Sequence, residues 1–235
     1  MKRNNILKWQ YALLAVLAVA TLSSCTLFGL KKQTDFHRRT DDTVDAHINM
    51  TAWAYIKSRG LQSPVKADTP FALFQRVIIY SGIDTNEYIK PGRTFIFPNA
   101  ASCKAVWAAF TTATNAVGKK WQDYPKTDLK NYLSYLIIDG QYSHYNLPIA
   151  DVDMKTLAPA GTYTAVPPAF QIKNLATYPN ATSVMRMKVL NSSPSNTSDY
   201  PLIINGTNTV ITSDILATNG VIQVVSTAVS PAIVQ

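Results

Sequence analysis

The sequence predicts an α+β chain. Helical apolar periods occupy the first half, a short apolar run around Phe95 interrupts them, and β-prone runs separated by Asn-Gly turns fill the remainder. The 235 residues are 47% hydrophobic and 15% charged, with only 9 Gly and 13 Pro, so apolar material is sufficient for a core and a disordered chain is excluded.

Each element has a local reason. Val44, Ile48, Ala52, Tyr55 and Ile56 recur at helical spacing before a stop at Gly60, which predicts a first amphipathic helix. A second follows Asp68-Thr69-Pro70, with Thr69 as cap and Pro70 in the first turn. It carries Phe71, Phe74, Val77 and Ile78 towards Gly82. After the turn Lys90-Pro91-Gly92-Arg93, the run Thr94-Phe95-Ile96-Phe97 reads as a buried strand ended by Pro98. A third helix is expected over 101–117, with Val106, Phe110, Ala113 and Val117 on one side. Thr127-Asp128 opens a fourth, through Leu129, Tyr132 and Leu133. It leads into a strand at Tyr135-Leu136-Ile137-Ile138 and the turn Asp139-Gly140. Beyond it, strands are expected at 162–166, 184–190, 202–205, 209–212 and 221–225. Asn205-Gly206 forms a hairpin and Asn219-Gly220 a sharp turn into the last strand. No internal repeat is visible, and one domain accounts for the folded part.

The head of the chain sets an expected compartment. Lys2, Arg3 and Lys8 precede an apolar stretch over 11–22, too short for a spanning helix and shaped like a secretory signal. The ending Leu22-Ser23-Ser24-Cys25 resembles the lipobox of bacterial lipoproteins. That resemblance implies cleavage after residue 24 and acyl chains, palmitate among them, on Cys25 as lipid attachment site. More than one chain is needed for stable anchoring. The expected organisation is a signal over 1–24, a lipid-anchored tether over 25–42 carrying Lys31, Lys32, Arg38 and Arg39, and a domain over 43–235. The expected location is the bacterial cell envelope, at the outer membrane. With Cys25 acylated, Cys103 has no disulfide partner and reads as a buried, inert thiol within a helical run.

Candidate chemistry is sparse. The formal charge of +8 includes the three cations of the signal and forms no long basic run, which argues against nucleic-acid binding. Three histidines, His37, His47 and His144, with no Cys-x-x-Cys or His-x-x-x-His spacing, predict neither a metal nor a cofactor. Asp151-Val152-Asp153 lacks the glycine and terminal glutamate of a calcium loop. No Gly-x-Ser-x-Gly elbow or phosphate-cradling glycine motif is present, so a non-enzyme is expected. Aromatic groups are the best material for recognition, because tyrosine and tryptophan give rigid, amphipathic contact area. Two candidate binding surfaces follow: Trp121 with Tyr124, and Tyr142 with His144 and Tyr145. Their competing role is to cover the core edge with polar tips satisfied.

Three segments in order resemble a known family. Thr94-Phe95-Ile96-Phe97-Pro98-Asn99, the stretch 129–140 with Tyr135, and the closing run from Asn205-Gly206 through Asp214 and Asn219-Gly220 to Pro231 are similar to the motifs of the fasciclin-like domain. The likeness runs from about Val44 to Pro231, with an insertion-like stretch around 166–184. It implies a β-sandwich wedge with a cluster of α-helices, used in surface proteins for adhesion and without shared catalytic machinery. Pro98, Tyr135, Asp214, Asn219 and Gly220 become motif scaffold; turn chemistry alone explains Asp214 and Asn219-Gly220 as scaffold. Tyr135 is followed by Leu136 where many members carry histidine, and Gln223 and Ser226 stand where His and Asp are frequent, which argues against integrin binding of the animal type. Asp42-Thr43-Val44 resembles the O-glycosylation acceptor of Bacteroidetes-like bacteria. The expected function is an envelope-anchored adhesion or interaction module binding a protein or glycan at the bacterial surface. An accessory lipoprotein subunit of an outer-membrane glycan-uptake complex is the alternative.

Overall fold

The computed structural model describes residues 45–190 and 201–233; Cys25, Val44, the signal and the tether lie outside them. The first helix, α1 (Ala52–Ser58), starts later than its apolar period suggests. Backbone hydrogen bonds claim the preceding residues: Ile48 N–H donates to Leu216 O at 3.0 Å, and Leu216 N–H donates to Ala46 O at 2.9 Å. Thr51 then caps the helix by accepting from Ala54 N–H.

In α2 (Ala72–Ser81) the expected cap Thr69 makes no capping bond. The helix begins after Phe71, whose ring enters the core, and ends as expected at Gly82 in the left-handed region (φ 69°). Strand β1 (Arg93–Pro98) leads into α3 (Ala100–Ala109), capped by Asn99. This helix was expected to reach residue 117, yet stops at Ala109. Phe110 buries its ring against Phe170 and Tyr132 while its backbone pairs with Ile172, and β-branched Thr111 and Thr112 follow. Thus β2 (Phe110–Thr111) replaces a last helical turn, and Val117 is exposed rather than on an apolar face.

Helix α4 (Lys126–Tyr135) starts after Pro125 without a side-chain cap, one residue ahead of Thr127. Strand β3 (Ile137–Asp139) follows. Strand β4 (Val152–Lys155) was not expected. The expected strand at 162–166 is a loop, in which Tyr163 alone bridges Asn180; Gly161 and the pair Pro167-Pro168 break any ladder. The remaining strands are β5 (Gln171–Ile172), β6 (Val184–Val189), β7 (Leu202–Ile204), β8 (Asn208–Ala217) and β9 (Gly220–Val225).

Seven strands form one sheet in the order β3-β1-β9-β8-β7-β6-β4, with β2 and β5 as a separate pair. The β1–β9 pairing is parallel, from Arg93 opposite Gly220 to Pro98 opposite Val225; the other pairs are antiparallel. Strand β8 carries register shifts between Val210 and Ile215, with Asp214 at φ 56°. Such a bulge bends a strand and increases its twist. The sheet therefore folds over until its outer strands meet: Ile138 bridges Thr156, and Leu157 N–H donates to Ile137 O at 2.9 Å.

The α+β class expected from the sequence is the class observed. Helices α3 and α4 contact the sheet at β1 and β3, and α2 packs against α1, α3 and α4. Phe71, Phe74, Tyr88, Phe95 and Phe97 fill the space between them, with ring centroids 5.4–6.5 Å apart. Burying each such ring stabilises by about 1.5–3 kcal/mol. A second aromatic group, Phe110, Tyr124, Tyr132 and Phe170, lies under the 161–170 loop.

Candidate functional site

The loop after β3 crosses three neighbouring strands and is tied to each. At its start, Thr94 on β1 donates to Gly140 O at 2.8 Å and accepts from Tyr142 N–H at 2.8 Å. Gln223 on β9 then donates to Tyr142 O at 3.3 Å. On β8, Asp214 holds His144 twice through one carboxylate oxygen, at 3.2 Å from the backbone N–H and 2.8 Å from Nδ1. Gln223 fixes Asp214 in turn, donating to Oδ1 at 2.8 Å and accepting the Asp214 N–H at 3.0 Å.

Asp214 explains the bend as well as the grip. Few residues other than glycine accept a positive φ, and aspartate is among the more tolerant. The strained backbone turns the carboxylate towards the loop. A non-glycine residue held in such a conformation by several contacts marks a place where position matters. The loop closes on itself through Ser143 N–H to Asn146 Oδ1 at 2.7 Å and Asn146 Nδ2 to Gln141 O at 2.7 Å. Leu147 then enters the core.

With both flanks fixed, the tip projects. Tyr145 is 93% exposed and Ile149 is 66% exposed, whereas Tyr142 and His144 are half-buried. Of the two expected aromatic surfaces, only this one reaches solvent. Trp121 and Tyr124 are a correction: both are buried and cannot form a surface. Trp121 donates its indole N–H to Leu73 O at 3.0 Å and packs edge-on against Trp107. Tyr124 donates to Phe110 O at 2.7 Å, and burial pushes its phenol up to about 12. Their polar surroundings in sequence are the turns that deliver them inward.

The motif residues are bound within the fold. Tyr135 donates to Val184 O at 3.0 Å and accepts from Asn205 Nδ2 at 2.8 Å. Pro98 O lies 3.9 Å from Cys103 Sγ. Burial raises the Cys103 thiol far above its ordinary range, which suppresses the thiolate. Asp151 and Asp153 face Lys188 and Arg186 across β4 and β6, the latter pair bidentate at 2.7 and 3.1 Å. Among the described residues no three His, Cys, Asp or Glu side chains cluster to hold a metal, and no helix is long and apolar enough to cross a membrane. Gln223 was not singled out as a functional residue. Its signal is a lone amide inside the apolar run Val221–Val225, fully buried in the structure.

Neither a family model nor a curated protein matches the sequence. Among solved structures, the chain is similar to a FAS1 domain pair from the insect cell adhesion molecule fasciclin I, at 15% identity and a TM-score of 0.40, over 68% of this chain and 44% of that one. The chain thus spans less than half the length of that structure.

Proposed function

We propose that the chain is an interaction module of a bacterial cell envelope, anchored by lipid on Cys25, that engages a protein partner through the loop carrying Tyr145. The observation behind this reading is a tyrosine ring 93% exposed on a loop fastened to three strands. Solvent exposure leaves the ring's area to be buried by a partner, and prior fastening lowers the ordering entropy that binding costs. Truncating an aromatic anchor of this kind weakens binding by about 2 kcal/mol or more, roughly 30-fold. The sequence resemblance and the lipobox-like head supply the adhesion setting.

A photo-crosslinking residue at position 145 in envelopes tests the contact, with the same probe at exposed Lys130 as control. A single adduct from position 145, absent from position 130 and lost on competition by wild-type chain but not by Tyr145→Ala, supports it. Equal or absent adducts from both positions refute it. Metabolic labelling with an alkynyl palmitate tests the anchor separately: label that persists in Cys25→Ala, or none in the wild type, removes the lipid from the proposal.

A further inference from the structure

One side of the helical half carries cations that the fold leaves unneutralised. On α2, Leu73, Arg76 and Tyr80 follow one another at intervals of a turn and so share a side. Both ends of that row meet the segment before α4: Trp121 donates its indole N–H to Leu73 O at 3.0 Å, and the Tyr80 hydroxyl lies 3.5 Å from Tyr124 O. Arg76, between them, therefore borders the turn 119–123. Lys126 at the start of α4 closes the group, its ammonium 5.1 Å from the centre of the Tyr80 ring. Arg76, Lys119, Lys120 and Lys126 are all exposed.

Arg59, Lys90, Arg93, Lys155, Arg186 and Lys188 each face a carboxylate. None of these four cations forms an ion pair among the described residues. The acid within their turn, Asp123, spends its charge on the backbone: Oδ2 accepts the N–H groups of Lys119 at 2.8 Å and Lys120 at 3.2 Å, which hold the carboxyl below its ordinary range. Beside the cations stands an apolar side chain. Ile79, one turn from Arg76, is 59% exposed.

We propose that this side of the molecule lies on an anionic phospholipid surface, with Arg76, Lys119, Lys120 and Lys126 meeting headgroup phosphates and Ile79 entering the headgroup layer beside them. Cations around an exposed aliphatic side chain are the composition of an interfacial contact. Lysine suits it, because an ammonium on a flexible stem follows a fluid array of phosphates that offers no fixed fork geometry. An acidic glycan would gain from the cations but not from Ile79, and Lys126 already occupies a face of the Tyr80 ring on which a sugar could stack. Each cation brought near an anionic leaflet strengthens attachment about fivefold, an effect that fades within about 10 Å at roughly 0.1 M salt. The inference rests on the envelope reading for the presence of a membrane and on no residue of the Tyr145 loop.

Lysine acetylation of the full chain, read residue by residue by mass spectrometry at saturating lipid, tests this on phosphatidylcholine vesicles with and without about 30% phosphatidylglycerol. The apolar head can attach the chain to either kind, so the readout is local. Acetylation of Lys119 and Lys120 is expected to slow roughly threefold or more on the anionic vesicles alone, to recover in about 0.5 M NaCl, and to behave identically in Tyr145→Ala. Arg76→Gln combined with Lys126→Gln should abolish the slowing, whereas Lys57→Gln combined with Lys155→Gln, which removes the same charge, should preserve it. Ile79→Ser should reduce it by about half or more. No slowing, slowing on neutral vesicles, equal slowing at Lys57 and Lys155, survival in the Arg76 and Lys126 double variant, an unaltered Ile79→Ser chain, or slowing by soluble polygalacturonate but by no vesicle would overturn the proposal. The crosslink at position 145 can fail while this footprint stands, and the reverse.

Discussion

Asn219 accepts the Ala52 N–H at 2.8 Å and donates to Tyr88 O and Lys90 O at 3.1 Å each, joining α1, the turn before β1 and the β8–β9 turn. Replacing it by alanine strands three backbone groups and is expected to cost roughly 2–4 kcal/mol in urea unfolding. Its neighbour Gly220 is fixed by space instead. A Cβ there would stand 2.0 Å from Arg93 O, inside the parallel β1–β9 ladder. Gly220→Ala is therefore expected to destabilise more than Gly92→Ala, whose added Cβ meets no atom within 4 Å although its φ of 79° carries a backbone cost. Cys103, fully buried with its thiol raised, should react with a disulfide reagent only at the rate of global unfolding. Rapid labelling of the native chain would contradict that.

The bulge in β8 and the loop it holds act together. Asp214→Ala removes the grip on His144 and one of the two bonds that Gln223 donates, so amide exchange over 141–147 should quicken at least tenfold while β1 and β9 stay protected. Equal acceleration everywhere would mean that Asp214 supports the sheet rather than the loop. The turn before β1 responds to acid. Burial alone would raise the Glu87 carboxyl, but hydrogen bonds from Lys90 and Arg93 outweigh it and hold the group below its ordinary range. A carboxyl lowered in the folded state contributes stability above its unfolded pKa and loses it as pH falls through the folded value. Glu87→Gln should accordingly flatten the decline of the urea midpoint below about pH 4.5 and leave its shape at neutral pH unchanged.

Closure of the fold depends on the segment after β9. Val229 and Ala232 are buried, Asn205 donates to Ser230 O at 2.7 Å, Asn208 to Ala228 O at 2.9 Å, and Asn180 to Pro231 O at 3.0 Å. Asn180 reaches it from the loop before β6, and Asn205 and Asn208 reach it from the two ends of the β7–β8 turn. Ending the chain at Val225 is expected to abolish the cooperative unfolding transition, whereas ending it at Ile233 should leave it intact.

Local pattern was enough for the helices and strands whose apolar residues all face one core. The periods Phe74–Val77–Ile78 and Leu129–Tyr132–Leu133, the run at β1 and the Asn-Gly turns are enough to specify the α+β class. The same pattern misplaced the end of α3 and the strand at 162–166, because a ring-packing partner sixty residues away and a proline-walled loop outcompeted the local preference. It also could not separate Trp121 and Tyr124 from Tyr145. All three are aromatics in polar surroundings, and exposure is settled by which carbonyls the polar tips can reach after folding. The clasp of His144, Asp214 and Gln223 joins residues 9 to 70 positions apart. Sequence carries the donors and acceptors; the bent sheet sets which of them meet, because a hydrogen bond needs atoms within about 3 Å and chain spacing does not specify that distance.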